Sequence, residues 1–166
     1  LYALRIYNPR FMIYGLDYSE PLLNIIRKVI PDGNFFLTEA NNFPKFNFKF
    51  DSIVLNSVIQ YFPDNNYLDL VINQCFKHLK KNATLLLLDI CDKEFQDESD
   101  IQRSQNFKTI QQYKDAYKGL SHLYIKKSMM EKILRRNNFK KIYHPDISLK
   151  GVLNTKYRYS ICAVKS

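Results

Sequence analysis

Short apolar runs, each stopping at an acid or an amide and separated by stretches of helical period, leave this chain few architectures. Phe11-Met12-Ile13-Tyr14-Gly15-Leu16 runs into Asp17, and Phe35-Phe36-Leu37 into Glu39-Ala40-Asn41. Phe50 to Leu55 runs into Asn56-Ser57, and Thr84 to Leu88 into Asp89. Runs this brief are too short for buried helices and read as interior strands. Between them, Leu22, Leu23, Ile25, Ile26, Val29 and Ile30 form one apolar stripe, and Leu68, Val71, Ile72, Cys75, Phe76 and Leu79 another, both at helical spacing. Strands alternating with helices call for a mostly parallel sheet, connected by right-handed crossovers and covered by helices on both faces.

Local signals set the boundaries. Leu1, Leu4 and Ile6 before Asn8-Pro9 read as the last turns of a helix. Ser19 offers a helix cap with Pro21 in the first turn, and Pro31-Asp32-Gly33-Asn34 ends that helix. Asn65 or Asn66 is placed to cap the next one. Met129, Met130, Ile133 and Leu134 mark a helix over residues 127–137, stopped at Asn137-Asn138. Phe139 to His144 and Tyr157 to Val164 read as two closing strands. The second alternates Tyr157, Tyr159, Ile161 and Ala163 against Arg158, Ser160, Cys162 and Val164. A short loop holding Gly151 makes that pair antiparallel. No repeat or second domain emerges, so residues 1–166 are expected to form a single, partial domain. The polar stretch 92–109 is expected to be partly helical and mobile, with 92–126 an insertion on the substrate side.

Composition excludes several classes. No apolar run reaches the ~18 residues of a membrane span, and no signal-peptide pattern opens the chain. Cys75, Cys91 and Cys162 are scattered and odd in number, which argues against a disulfide framework or a cysteine-based metal site and for a cytoplasmic location. The net charge of +9 is unevenly spread. Residues 1–107 hold 11 Lys and Arg against 13 Asp and Glu, whereas residues 108–166 hold 14 against 3. A basic back half either reflects solvated faces or draws in an anionic substrate. Nucleic acid is disfavoured as a partner, because no RNP-like, zinc-finger or helix-turn-helix signature is present.

In a doubly wound sheet, ligands sit beyond the carboxyl ends of the strands. Those ends here present Asp17, Glu39, Asn56-Ser57-Val58 and Asp89, groups suited to a ligand rich in hydroxyl and amino donors. Three segments then occur in order: Tyr14-Gly15-Leu16-Asp17-Tyr18-Ser19, Glu39-Ala40-Asn41-Asn42-Phe43-Pro44, and Phe50-Asp51-Ser52-Ile53-Val54-Leu55-Asn56-Ser57-Val58-Ile59-Gln60-Tyr61-Phe62. With Leu79-Lys80 ahead of Thr84 to Leu88, the pattern resembles the class I S-adenosylmethionine-dependent methyltransferases over almost the whole chain.

The resemblance implies a Rossmann-like fold and S-adenosylmethionine as cofactor; no metal-ligating residues are expected. It assigns the ribose to Asp17, followed by Tyr18. It assigns the adenine to the Glu39 side chain and Ala40 backbone, and the methionine portion to Asn56, Ser57 and Val58. It also implies that the family's first strand and Gly-rich loop precede Leu1. A missing N-terminal segment or a partner chain would supply that strand, and without it the strands ending at Asp17 and Asn56 face a gap. Glu39 stands where the family more often has Asp, and Lys81-Asn82-Ala83 where it has Pro-Gly-Gly.

On the acceptor side the candidates are Gln60, Tyr61, His122 and Tyr124, with His122 as a base for an acceptor hydroxyl. The expected function is methyl transfer to a small hydroxylated acceptor, a sugar or a phosphorylated metabolite, with Lys126 and Lys127 near the phosphate. The alternatives are an RNA or protein methyltransferase, a non-catalytic Rossmann-like fragment completed by another chain, and a less favoured NAD-dependent enzyme. The Asn/Asp-Pro-Pro-aromatic tetrad of base-modifying amino methyltransferases is absent, since Asn56-Ser57-Val58-Ile59 stands there.

Overall fold

A computed structural model describes residues 1–119, 122–147 and 153–166. Gly151, and Leu120-Ser121 just before His122, lie outside the described residues. The chain forms two compact units, Leu1–Asn47 and Phe48–Ser166.

The first unit holds helix α1 (Tyr2–Tyr7), strand β1 (Tyr14–Asp17), helix α2 (Glu20–Val29) and strand β2 (Asn34–Leu37). β1 and β2 pair in parallel, Gly15 opposite Phe35 and Asp17 opposite Leu37, so β1-α2-β2 is the expected crossover unit. Gly15 and Gly33 make room for the Phe35 ring: an added Cβ would lie 2.8 Å from it at Gly15 and 2.5 Å at Gly33. Ile13, Leu23 and Ile30 are buried. The stripe on α2 is only partly covered, because Leu22, Ile25 and Val29 are exposed.

The second unit holds β3 (Phe50–Asn56), α3 (Asn65–His78), β4 (Leu79–Cys91), α4 (Gln96–Ser104), α5 (Ile110–Ala116), α6 (Lys127–Arg136), β5 (Lys141–Tyr143) and β6 (Arg158–Val164). Its sheet runs β3-β4-β6-β5; β3 is parallel to β4, and β6 is antiparallel to both neighbours. The fold class is thus the expected mixed α/β one. The closing strand is inserted between β4 and β5, a placement that local signals do not encode. Among the described residues, β1 and β3 each pair with a single neighbour.

The core of this unit follows the sequence pattern. Leu85 and Leu87 of β4, Ile161 and Ala163 of β6, Leu68, Val71, Ile72 and Cys75 of α3, and Met130, Ile133 and Leu134 of α6 are all buried. The period-two burial of β6 matches its alternation. Asp64 caps α3, its carboxylate accepting from the Tyr67 amide at 2.8 Å, in place of the expected Asn65 or Asn66. β4 starts at Leu79 rather than Thr84; Leu79 pairs with Phe50, and Lys80–Ala83 then loop out of register with Asn82 at φ 61 before pairing resumes at Ser52–Thr84. No helix among the described residues is long and apolar enough to cross a membrane.

Candidate functional site

In the first unit, Asp17 closes β1. Its backbone carbonyl accepts from the Thr38 amide at 2.9 Å, ending the parallel ladder. Its Oδ1 accepts from the Ser19 amide at 2.9 Å, so the carboxylate, and not the Ser19 hydroxyl, serves the start of α2. No other hydrogen bond reaches this carboxylate among the described residues, which leaves Oδ2 available. Asp17 also borders a cavity of about 180 Å³ whose other walls include Gly15, Leu16, Leu23 and Phe35. The Tyr18 ring is 71% exposed. Glu39 and Ala40 lie in a turn after β2, closed by Asn42 N–H to Glu39 O at 3.0 Å and by Thr38 Oγ1 to Asn42 O at 2.7 Å. Glu39 is exposed and Ala40 half-buried.

In the second unit, β3 ends at Asn56 beside Leu88, where β4 bulges before running on to Cys91. Asn56 is exposed, Val58 is 40% exposed, and Ser57 takes a left-handed φ of 55°. Asp89, at φ 61°, does the same on β4. Two residues of β4, Leu88 and Asp89, there oppose the single Ser160 of β6, a bulge that redirects the Asp89 side chain. Ser57 Oγ donates to Asp89 Oδ2 at 2.5 Å, and Arg158 Nη1 donates to the same oxygen at 2.9 Å. Arg158 Nη1 also donates to Gln60 Oε1 at 2.9 Å. Gln60 is 4% exposed and receives a further long contact from Cys91 Sγ at 3.9 Å.

The acceptor-side candidates come together here. Leu123 N–H donates to Gln60 O at 2.8 Å and Ile125 N–H to Cys91 O at 3.0 Å, laying the segment that carries His122 and Tyr124 alongside Gln60. The Tyr61 and His122 rings meet edge-on at 5.5 Å, and Tyr117 adds a second edge contact at 6.1 Å. Arg103 of α4 organises this corner. It donates to His122 Nδ1, to the Tyr124 hydroxyl and to Asp100, and its guanidinium lies 5.4 Å from the Tyr117 ring centroid. Tyr124 in turn donates to Asp100 Oδ1 at 3.0 Å. Because Nδ1 accepts from a guanidinium, the proton of neutral His122 resides on Nε2. Burial, then the charges of Arg103 and Arg158, hold His122 below the ordinary histidine value against the opposing pull of Asp100. Burial, outweighing the opposing hydrogen bond with Ser99 and the charge of Arg103, pushes Tyr124 up to about 12.

Three participants are absent from the sequence reading, Arg158, Arg103 and Asp100, and a fourth, Asp89, entered it only at the strand-end rim with no assigned role. Asp89 carried a signal as a strand-end acid. Arg158 opens β6, ahead of its mostly apolar residues. Arg103 and Asp100 sit on α4, inside the polar stretch, where nothing local distinguishes them from solvated charges. The cations are paired, Arg158 with Asp89 at 2.9 Å and Arg103 with Asp100. Lys127 pairs at 3.4 Å with the buried Asp92. His78 and His144 have local partners, Gln74 O at 2.9 Å and Glu131 Oε1 at 2.8 Å.

Each unit pairs its strands in parallel, and the second adds an antiparallel closing strand next to β4, a Rossmann-like arrangement that the chain shares with solved structures of SAM-dependent methyltransferases. Among solved structures, the chain is similar to a SAM-dependent methyltransferase from Methanosarcina mazei, with a TM-score of 0.67 and 14% identity, covering 98% of this chain and 86% of that one. It is also similar to magnesium protoporphyrin IX methyltransferase from Synechocystis with bound SAM, with a TM-score of 0.57 and 17% identity, over 93% and 60% of the two chains. In sequence it is 32% identical over 82 residues to demethylmenaquinone methyltransferase of Thermotoga maritima. That match takes in 49% of this chain and 34% of the relative, so the chain aligns with only about a third of that protein's length. No family model matches the chain.

Proposed function

We propose that the protein transfers a methyl group from S-adenosylmethionine to a small, uncharged, hydroxylated acceptor. The observation that carries the cofactor is Asp17. One carboxylate oxygen is fixed by the Ser19 amide and the other has no partner among the described residues, which suits the two donors of a ribose diol. Tyr18, Glu39 and Ala40 are the other nucleoside-side groups of the first unit. Asn56, Ser57 and Val58 of the second unit are those for the methionine portion. When bound, the cofactor supplies an activated methyl on its sulfonium, so the protein's contribution is positioning.

On the acceptor side, Gln60, His122 and Tyr124 are the groups placed for this task. With Arg103 on Nδ1, His122 offers Nε2–H as a donor that orients an acceptor oxygen. Tyr124, whose phenol stays protonated at neutral pH, holds the Arg103–Asp100 pair in place. The pairing of Arg103 and Arg158 with carboxylates favours an uncharged acceptor over a phosphorylated one, because the two cations whose charges act on His122 are already matched.

Equilibrium dialysis with labelled S-adenosylhomocysteine tests the cofactor assignment. Asp17→Asn should weaken binding by about tenfold or more, the loss expected for a charged hydrogen-bond acceptor; unchanged binding would remove Asp17 from the ribose. Methyl transfer to paired hydroxylated metabolites and their phosphate esters tests the acceptor class. A preference for the esters would overturn the uncharged assignment.

A further inference from the structure

We propose that Arg158 is a positioning residue that couples the turn at Ser57 to Gln60, a role that rests on the methyltransferase reading. Three observations carry it. First, two non-glycine residues here have left-handed backbone, Ser57 at φ 55° just after β3 and Asp89 at φ 61° in the bulge of the adjacent parallel strand β4. Such conformations persist only where the surroundings over-determine them. Second, one nitrogen supplies that constraint. Arg158 Nη1 donates to Asp89 Oδ2 at 2.9 Å, to Asp89 O at 3.1 Å and to Gln60 Oε1 at 2.9 Å. Two hydrogens serve three oxygens, so at least one is shared. Third, Asp89 Oδ2 is also the oxygen that accepts from Ser57 Oγ at 2.5 Å. Ser57 and Gln60 are thereby joined through a single carboxylate–guanidinium pair whose arginine side chain is 15% exposed.

The consequence is directional. A guanidinium that holds both the methionine-side turn and the acceptor-side amide fixes the two halves of the reaction geometry together. Its loss should therefore be felt in binding of both reactants. Because one nitrogen makes all three contacts, a lysine at this position, with three hydrogens on one nitrogen, should retain part of the function. A methionine should retain none.

The test uses Arg158→Met and Arg158→Lys. Amide exchange is read at Ser57, whose N–H bonds Leu88 O, and at Tyr61, whose N–H bonds Val58 O. Arg158→Met should speed exchange at both amides by about tenfold or more, while Leu86 and Cys162, at the centre of the β4–β6 pairing, stay protected. The same variant should raise the dissociation constant for S-adenosylhomocysteine and the acceptor KM together, with Arg158→Lys intermediate in each readout. Native-like exchange at Ser57 and Tyr61 in Arg158→Met would overturn the proposal. So would a change in stability alone, with both binding constants unmoved. Should Arg158→Met fail to fold, Arg158→Lys decides: native-like exchange at both amides counts against the coupling, and faster exchange at both counts for it. Should the native protein bind no S-adenosylhomocysteine, the methyltransferase reading falls, and the exchange measurement still decides whether Arg158 couples the two positions.

Discussion

At the scale of single residues, His122 and Tyr124 set opposite edges of a pH profile. Burial and the charges of Arg103 and Arg158 lower His122, while Asp100 pulls the other way. Between its lowered folded value and the ordinary unfolded one of about 6.5, the unfolded chain binds the extra proton. Stability therefore rises with pH through that window and falls as pH drops through it. Tyr124 is the reverse case. Its folded value is raised to about 12, so the unfolded chain loses the phenolic proton first, and stability falls as pH climbs above about 10. The buried Tyr159, whose hydroxyl donates to Ile125 O at 3.1 Å, shifts in the same direction. Arg103→Met should raise the His122 value, since it removes a nearby positive charge, and should move the ring proton off its fixed tautomer. Nitrogen chemical shifts of the imidazole across pH 4 to 8 would show both effects; an unmoved titration would mean that Arg103 does not control this ring. A second residue-scale expectation concerns Gly33. Its ideal Cβ position lies 2.5 Å from one Phe35 ring carbon and 2.6 Å from another. Gly33→Ala should cost about 1–3 kcal/mol through overpacking, read by urea unfolding.

At the scale of elements, much of the fold was legible because several strands and helices here follow their periods closely. β6 buries every second residue, α6 stops where Asn138 turns left-handed at φ 67°, and β1-α2-β2 forms the expected parallel crossover. The errors have local physical causes. A cap is decided by which side chain reaches an amide, and Asp64 reaches Tyr67 N where the amides that follow it were expected to act. Asp64→Ala should therefore cost about 1 kcal/mol of α3 stability, measured as a shift in the denaturation midpoint, whereas Asn65→Ala should leave it nearly unchanged. The start of β4 was missed because Lys80–Ala83 leave the ladder, so polarity masks a strand that Leu79 has already begun. The site was legible only as far as its strand ends. Gln60, His122 and Tyr124 are brought together, but their partners Arg103 and Asp100 lie on α4 and Arg158 at the start of β6. The bulge at Leu88-Asp89 that meets Arg158 is a pairing event between distant segments, which no local pattern announces.

At the scale of the whole molecule, the remaining question is what the basic back half does. The charge imbalance over residues 108–166 persists after Arg158 is matched by Asp89 and Lys127 by the buried Asp92, which leaves a basic surface outside that network. Such a surface should attract polyanions without selecting among them. Binding to single-stranded RNA should thus be measurable at low salt and collapse as salt rises, with a slope set by the number of phosphates neutralised. On the proposed reading, methyl transfer to a small uncharged acceptor should hold its KM over the same range, since a neutral ligand releases no counterions. Filter binding at 50 and 200 mM salt, alongside acceptor KM at both, separates two roles for the same charge. RNA that becomes labelled from methyl-tritiated S-adenosylmethionine, with salt-dependent KM, would make the basic face part of the substrate site. Weak, sequence-indifferent retention without labelling would leave it a solvated surface and leave the proposed small-acceptor reading standing.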